Sequence, residues 1–79
     1  MNCVPVEPVG CFIDELIERG FGVKEIARIC GVPYETISRW KNRKVINADL
    51  SPVEMLVTSF GYHISEVWSG YWEVINVAC

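Results

Sequence analysis

Residues 23–43 read Val23-Lys-Glu-Ile-Ala-Arg-Ile-Cys-Gly-Val-Pro-Tyr-Glu-Thr-Ile-Ser-Arg-Trp-Lys-Asn-Arg43, and this stretch decides the fold. It predicts two short helices joined by a tight turn. In the first, about Val23 to Cys30, the residues Ile26, Ala27, Ile29 and Cys30 are apolar while Lys24, Glu25 and Arg28 point outward. Gly31 ends it, because glycine takes the left-handed conformation at no steric cost. The next helix starts at Pro33 or Tyr34. Proline suits that position, since its missing N–H would have had no partner there. This second helix, about Tyr34 to Arg43, buries Ile37 and Trp40 and exposes Glu35, Ser38, Arg39, Lys41 and Asn42.

Working outward, residues 1–9 hold Pro5 and Pro8 without a helical period and read as a lead-in arm. A helix is expected from about Cys11 to Arg19. It sets Phe12, Ile13, Leu16 and Ile17 on one face and Asp14, Glu15 and Glu18 toward water, with Gly20 as its stop. On the other side, a connector from Val45 to Leu50 leads into Ser51-Pro52-Val53-Glu54. That pattern is a capping serine, a first-turn proline and a glutamate placed to close a capping box. The fourth helix then runs to about Phe60, with Val53, Leu56, Val57 and Phe60 inward and Gly61 as the stop. Ile64 to Trp68 fits one helical turn and Ser69-Gly70 a turn. Tyr71-Trp72-Glu73-Val74-Ile75-Asn76-Val77 is rich in β-formers and reads as a strand. The expected architecture is mainly α: one four-helix domain over residues 1–79 with a short C-terminal β-strand or hairpin. Its parts are an arm (1–9), a helical core (11–60) and an aromatic tail (62–79).

Residues 23–43 resemble the helix-turn-helix of phage repressors and Cro-like regulators. The match puts a small residue, Ala27, where the helices cross, Val32 and Ile37 in the angle between them, and Trp40 as an extension of the core. Cys30 stands where leucine is common, and Pro33 where a polar residue is usual. The whole chain also resembles a group of small phage proteins of unknown function, through Phe12-Ile-Asp-Glu-Leu16, Gly20-Phe-Gly-Val-Lys-Glu-Ile-Ala-Arg28 and Trp68-Ser-Gly-Tyr71. That likeness implies a phage or prophage origin and supplies no mechanism. The helix-turn-helix resemblance implies double-stranded DNA as partner, with the second helix of the pair in the major groove. Tyr34, Glu35, Ser38, Arg39 and Asn42 are then the candidate readers. Arg39 suits guanine, Asn42 adenine, and Glu35 the amino group of cytosine. Lys24, Lys41, Arg43 and Lys44 suit phosphates, which set register without reading sequence. Tyr34 suits capping and packing equally well, and Trp40 suits the core better than base stacking.

Charge supports this placement. The net charge is −3, yet all seven basic residues lie within residues 19–44, against only Glu25 and Glu35. Both flanks are purely acidic. Affinity for DNA follows the local patch that displaces counterions, so the basic window outweighs the overall sign.

The composition, 51% hydrophobic over 79 residues with three each of Trp, Tyr and Phe, exceeds what so small a core can bury. A homodimer is expected to cover the excess. The candidate interface is Trp68, Tyr71, Trp72, Val74 and Ile75, with Val77 beside them; covering the domain's own core is the alternative use of these residues. Cys3, Cys11, Cys30 and Cys79 form no Cys-x-x-Cys pair, and His63 has no cysteine near it, so neither a metal nor a cofactor is expected. His63 reads as a surface or capping residue. No leader or membrane-span pattern is visible, which suits reduced thiols and a cytoplasmic, nucleoid-associated protein. Catalysis is not expected: no paired carboxylates, no serine or cysteine with a histidine partner, and no phosphate-binding glycine loop can be found. The competing reading is a small phage factor, an antirepressor or an inhibitor of a host system, using the same scaffold against a host or phage protein.

Overall fold

The computed structural model describes residues 3–68 as a strand, three helices, a second strand and two more helices. These are β1 (Cys3–Pro5), α1 (Val6–Glu18), α2 (Val23–Cys30), α3 (Tyr34–Lys41), β2 (Asn47–Asp49), α4 (Leu50–Ser59) and α5 (Ile64–Val67). The chain is thus mainly helical, as its apolar period requires, with one small antiparallel sheet.

The sheet and the start of α1 replace the lead-in arm that the prolines suggested. β1 pairs with β2 in the register Cys3↔Asp49, Val4↔Ala48 and Pro5↔Asn47, and the Val6 N–H donates to the Ile46 carbonyl at 3.0 Å. Val4 and Ala48, directly opposite each other, are both buried. α1 begins five residues before the expected Cys11. Pro8 is only its third residue, where the missing N–H has no intrahelical partner in any helix.

α2 and α3 lie where the sequence puts them, except that α3 stops at Lys41. α4 starts one residue before the expected Ser51 cap. Asp49 is its N-cap and no side-chain hydrogen bond caps it, so the box drawn from Ser51 and Glu54 does not form. Val53, Leu56 and Val57 are buried as expected, and Phe60 is half-buried. The capping box occurs at α5 instead. There the His63 ring accepts from the Ser65 N–H at 3.2 Å, and the Glu66 carboxylate accepts from the His63 N–H at 2.9 Å. The C-terminal strand expected over residues 71–77 lies outside the described residues.

The core is continuous. Val4 of β1, Val9, Ile13 and Leu16 of α1, Ile26 of α2, Ile37 of α3, Leu56 and Val57 of α4 and Ile64 of α5 are almost wholly out of water. Each such aliphatic side chain contributes about 1.5–3 kcal/mol by leaving water. At the α1–α4 end, Phe12 packs edge-on against Phe60 and Tyr62, and Phe21 against Phe60. Arg19 donates to the Tyr62 hydroxyl at 3.1 Å, which raises the pKa of its guanidinium above the usual value. Among the described residues no helix is long and apolar enough to cross a membrane.

Candidate nucleic-acid interface

The α2–turn–α3 unit is built from the residues inward. α2 turns Ile26, Ala27 and Cys30 to the core and leaves Lys24 and Arg28 exposed. Gly31 closes it in the left-handed conformation, φ +76°, its N–H donating to the Ala27 carbonyl at 2.9 Å. Val32 is buried in the bend. The Pro33 carbonyl accepts from the Thr36 and Ile37 N–H groups and so starts α3. Ile37 and Trp40 then hold α3 against the core. Cys30 donates weakly to the Ala27 carbonyl, at 3.8 Å, and burial pushes its thiol pKa up.

Fixing Ile37 and Trp40 inward fixes what faces out. Tyr34, Glu35, Arg39 and Asn42 are exposed and Ser38 is half-buried, so four of the candidate readers share one face of α3 and Asn42 follows at its C-cap. Asn42 donates to the Ser38 hydroxyl at 3.4 Å, joining two of them one turn apart. Tyr34 makes no side-chain capping bond and is 47% exposed. The Lys24 ammonium sits 5.8 Å from its ring centroid, tying the start of α2 to the start of α3.

The basic residues divide by use. Arg19 belongs to the aromatic end of the molecule, and Arg28 pairs with Glu25 at 3.8 Å on the surface. Arg39, Lys41 and Lys44 have no carboxylate partner among the described residues, and Lys24 has only the Tyr34 ring.

Arg43 departs from the phosphate-contact role suggested for it. Its guanidinium donates to Glu7 and to Asp14, each at 3.0 Å, and to the Lys41 carbonyl at 2.7 Å. Those bonds, first to Asp14 and then to Glu7, raise its pKa further above an already high value. The backbone of Arg43 is left-handed, φ +52°, the one non-glycine residue with positive φ among those described. It closes α3 as Gly20 and Gly61 close α1 and α4: the Arg43 N–H bonds the Trp40 carbonyl and the Lys44 N–H the Arg39 carbonyl. The guanidinium lies close against Gly10, where a Cβ would sit 2.5 Å from the guanidinium carbon.

Glu7, Gly10 and Asp14 were not singled out from sequence as parts of the site. They hold the C-terminal end of α3 in place. A glycine between Val9 and Cys11, inside an otherwise apolar helical run, was the available sign of a close approach.

Of the candidate dimer residues, Trp68 is half-buried and its N–H bonds the Ile64 carbonyl at the end of α5. Tyr71, Trp72, Val74 and Ile75 lie outside the described residues. Cys3 and Cys11 are exposed thiols and Cys30 a buried one. Among the described residues no three His, Cys, Asp or Glu side chains gather as a metal site.

Residues 11–44, from within α1 to just past α3, match the family described as a homeodomain-like domain. The matched stretch is less than half of the chain, and it contains all of α2 and α3. Its description names no phage, repressor or Cro-like group. No curated protein and no solved structure matches the chain. A homeodomain is a three-helix variant of the helix-turn-helix, whose third helix reads the major groove. The α2–turn–α3 unit is a helix-turn-helix that is similar, over this stretch, to that family.

Proposed function

We propose that this protein is a sequence-specific DNA-binding transcriptional regulator that lays α3 in the major groove. One observation carries the reading. Glu35, Ser38 and Arg39 stand together on the solvent face of α3 with Asn42 at its C-cap, flanked by Lys24, Lys41 and Lys44, which carry no carboxylate partner among the described residues. Arg39 then reads guanine and Asn42 adenine, while the three lysines hold phosphates. Arg43 acts from behind, positioning the end of α3. A phage or prophage origin, a homodimer on a two-fold site, a cytoplasmic location beside the nucleoid and a role without catalysis complete the proposal.

The test is fluorescence anisotropy of the purified protein on DNA from around its own gene, repeated across salt concentrations. Sequence-preferring binding is expected, with a log–log salt slope of roughly −3 per protomer from the three lysines. Weak binding indifferent to sequence would sink the regulator reading and favour a protein target, sought by pull-down from host lysate. Sedimentation at the same concentrations tests the dimer: a monomer bound to a single half-site removes that part of the proposal.

A further inference from the structure

A groove of about 280 Å³ runs between α3 and the corner where β2 enters α4. Thr36, Arg39 and Trp40 line it from α3, and Asn47, Ala48 and Asp49 from β2. Arg39 and Asp49 are the only charged residues among those that line it, one cation from one element and one anion from the other. Neither side chain is spent elsewhere: among the described residues no hydrogen bond or ion pair engages either of them. For Asp49 this is unusual. It is the N-cap of α4, where an aspartate ordinarily turns its carboxylate onto the first N–H groups of the helix, and here no such bond forms. Its backbone is nevertheless held from both sides, opposite Cys3 in the sheet and at the start of α4.

We propose that Asp49 is a positioning residue that sets specificity through Arg39: its carboxylate accepts from the groove side of the guanidinium while the other side reads guanine. The inference rests on the placement of α3 in the major groove proposed above. A guanidinium carries five N–H donors in a planar fork, and guanine O6 and N7 take two of them. An arginine with no partner can swing to a phosphate instead, a contact that rewards every sequence alike. A carboxylate on the groove side makes the guanine-reading geometry the better satisfied one. The two charges form no ion pair in the free protein, and the pair closes when DNA fixes the arginine. Glu35, one turn earlier on α3, is the other carboxylate near Arg39. It stands on the face that meets DNA and does not line the groove, so it cannot back the guanidinium from that side.

The experiment measures anisotropy on the preferred DNA fragment and on copies in which each G·C pair is replaced in turn by A·T. It compares wild type with Arg39→Ala, Asp49→Asn, the two combined, and Glu35→Gln. Arg39→Ala is expected to abolish the preference at one G·C position. Asp49→Asn should lower that same preference about two- to fivefold, the worth of an exposed ion pair, and leave the other positions alone. It should add nothing once Arg39 is alanine. Its melting temperature should stay as in wild type, because asparagine caps a helix as well as aspartate does. An unchanged preference in Asp49→Asn overturns the inference, even if every fragment binds more tightly, since Asp49 would then only repel phosphates. A loss at that position from Glu35→Gln and not from Asp49→Asn overturns it as well, by giving the role to Glu35. If wild type itself prefers no sequence, the regulator reading fails and takes this one with it; if the preference exists and survives Asp49→Asn, this one fails alone.

Discussion

Arg43 combines two demands that usually fall on different residues. The C-terminal turn of α3 needs a left-handed residue, which costs an L-amino acid roughly 1–2 kcal/mol, and Arg43 occupies it at φ +52°. In return its guanidinium reaches Glu7, Asp14 and the Lys41 carbonyl together. Replacing Arg43 with alanine keeps the strain and loses the bonds, while glycine loses the bonds and relieves the strain. Thermal denaturation should therefore rank wild type above Arg43→Gly, and Arg43→Gly above Arg43→Ala by roughly 1 kcal/mol. Gly10→Ala is expected to destabilise, although alanine favours helix over glycine by about 1 kcal/mol, because its methyl would push the guanidinium off Glu7 and Asp14. That loss should largely disappear in the background of Arg43→Ala, and additive effects would show that the two residues do not meet. Cys30 offers a chemical check. Burial raises its pKa, so mass-spectrometric mapping after brief alkylation near pH 8 should find Cys11 modified well before Cys30. The folded thiol holds its proton above the unfolded value of 9.0, so this group's contribution is complete below about pH 9 and falls as pH rises beyond it.

At the level of elements, Gly31 is the joint between α2 and α3. A Cβ there would meet only the Met55 side-chain end, at 3.5 Å, so the space exists and the φ of +76° does not suit alanine. Gly31→Ala should lower stability by roughly 1–2 kcal/mol. It should weaken DNA binding only through the folded fraction, which titration far below the melting temperature would establish. Arg39→Ala should instead leave melting unchanged and cost about 1–3 kcal/mol of preference for the favoured sequence. The helix-turn-helix was legible because each of its constraints is local: Gly31 at the stop, Pro33 at the start, Ile37 and Trp40 three apart on the inner face. The first helix was misread at its beginning for the opposite reason. Pro8 and Gly10 look like helix breakers in sequence; Pro8 is tolerated because α1 starts as early as Val6, and only Arg43, more than 30 residues away, explains Gly10. The free and the committed cations are equally hard to separate in sequence. Arg39 and Arg43 sit four residues apart, and only the tertiary position of Glu7 and Asp14 withdraws the second one.

Across the whole molecule, charge and topology follow one plan. The acidic side chains of α1 are partly spent on Arg43, which leaves the basic surplus gathered on α3 and the turn after it. Removing residues 1–5 would strip Val4 from the core and expose Ala48. Such a truncation should lower the melting temperature markedly, whereas a mobile arm would be removed at no cost. The β1–β2 pair also sets an order in time. Val4 closes against Ala48, a partner 44 residues downstream. Synthesis at 5–20 residues per second keeps the two apart for about 2–9 s. During that interval a nascent chain that already holds α2 and Gly31 still has a bare apolar side on α1. β1 thus precedes every other described element in the chain and yet is among the last to find its place.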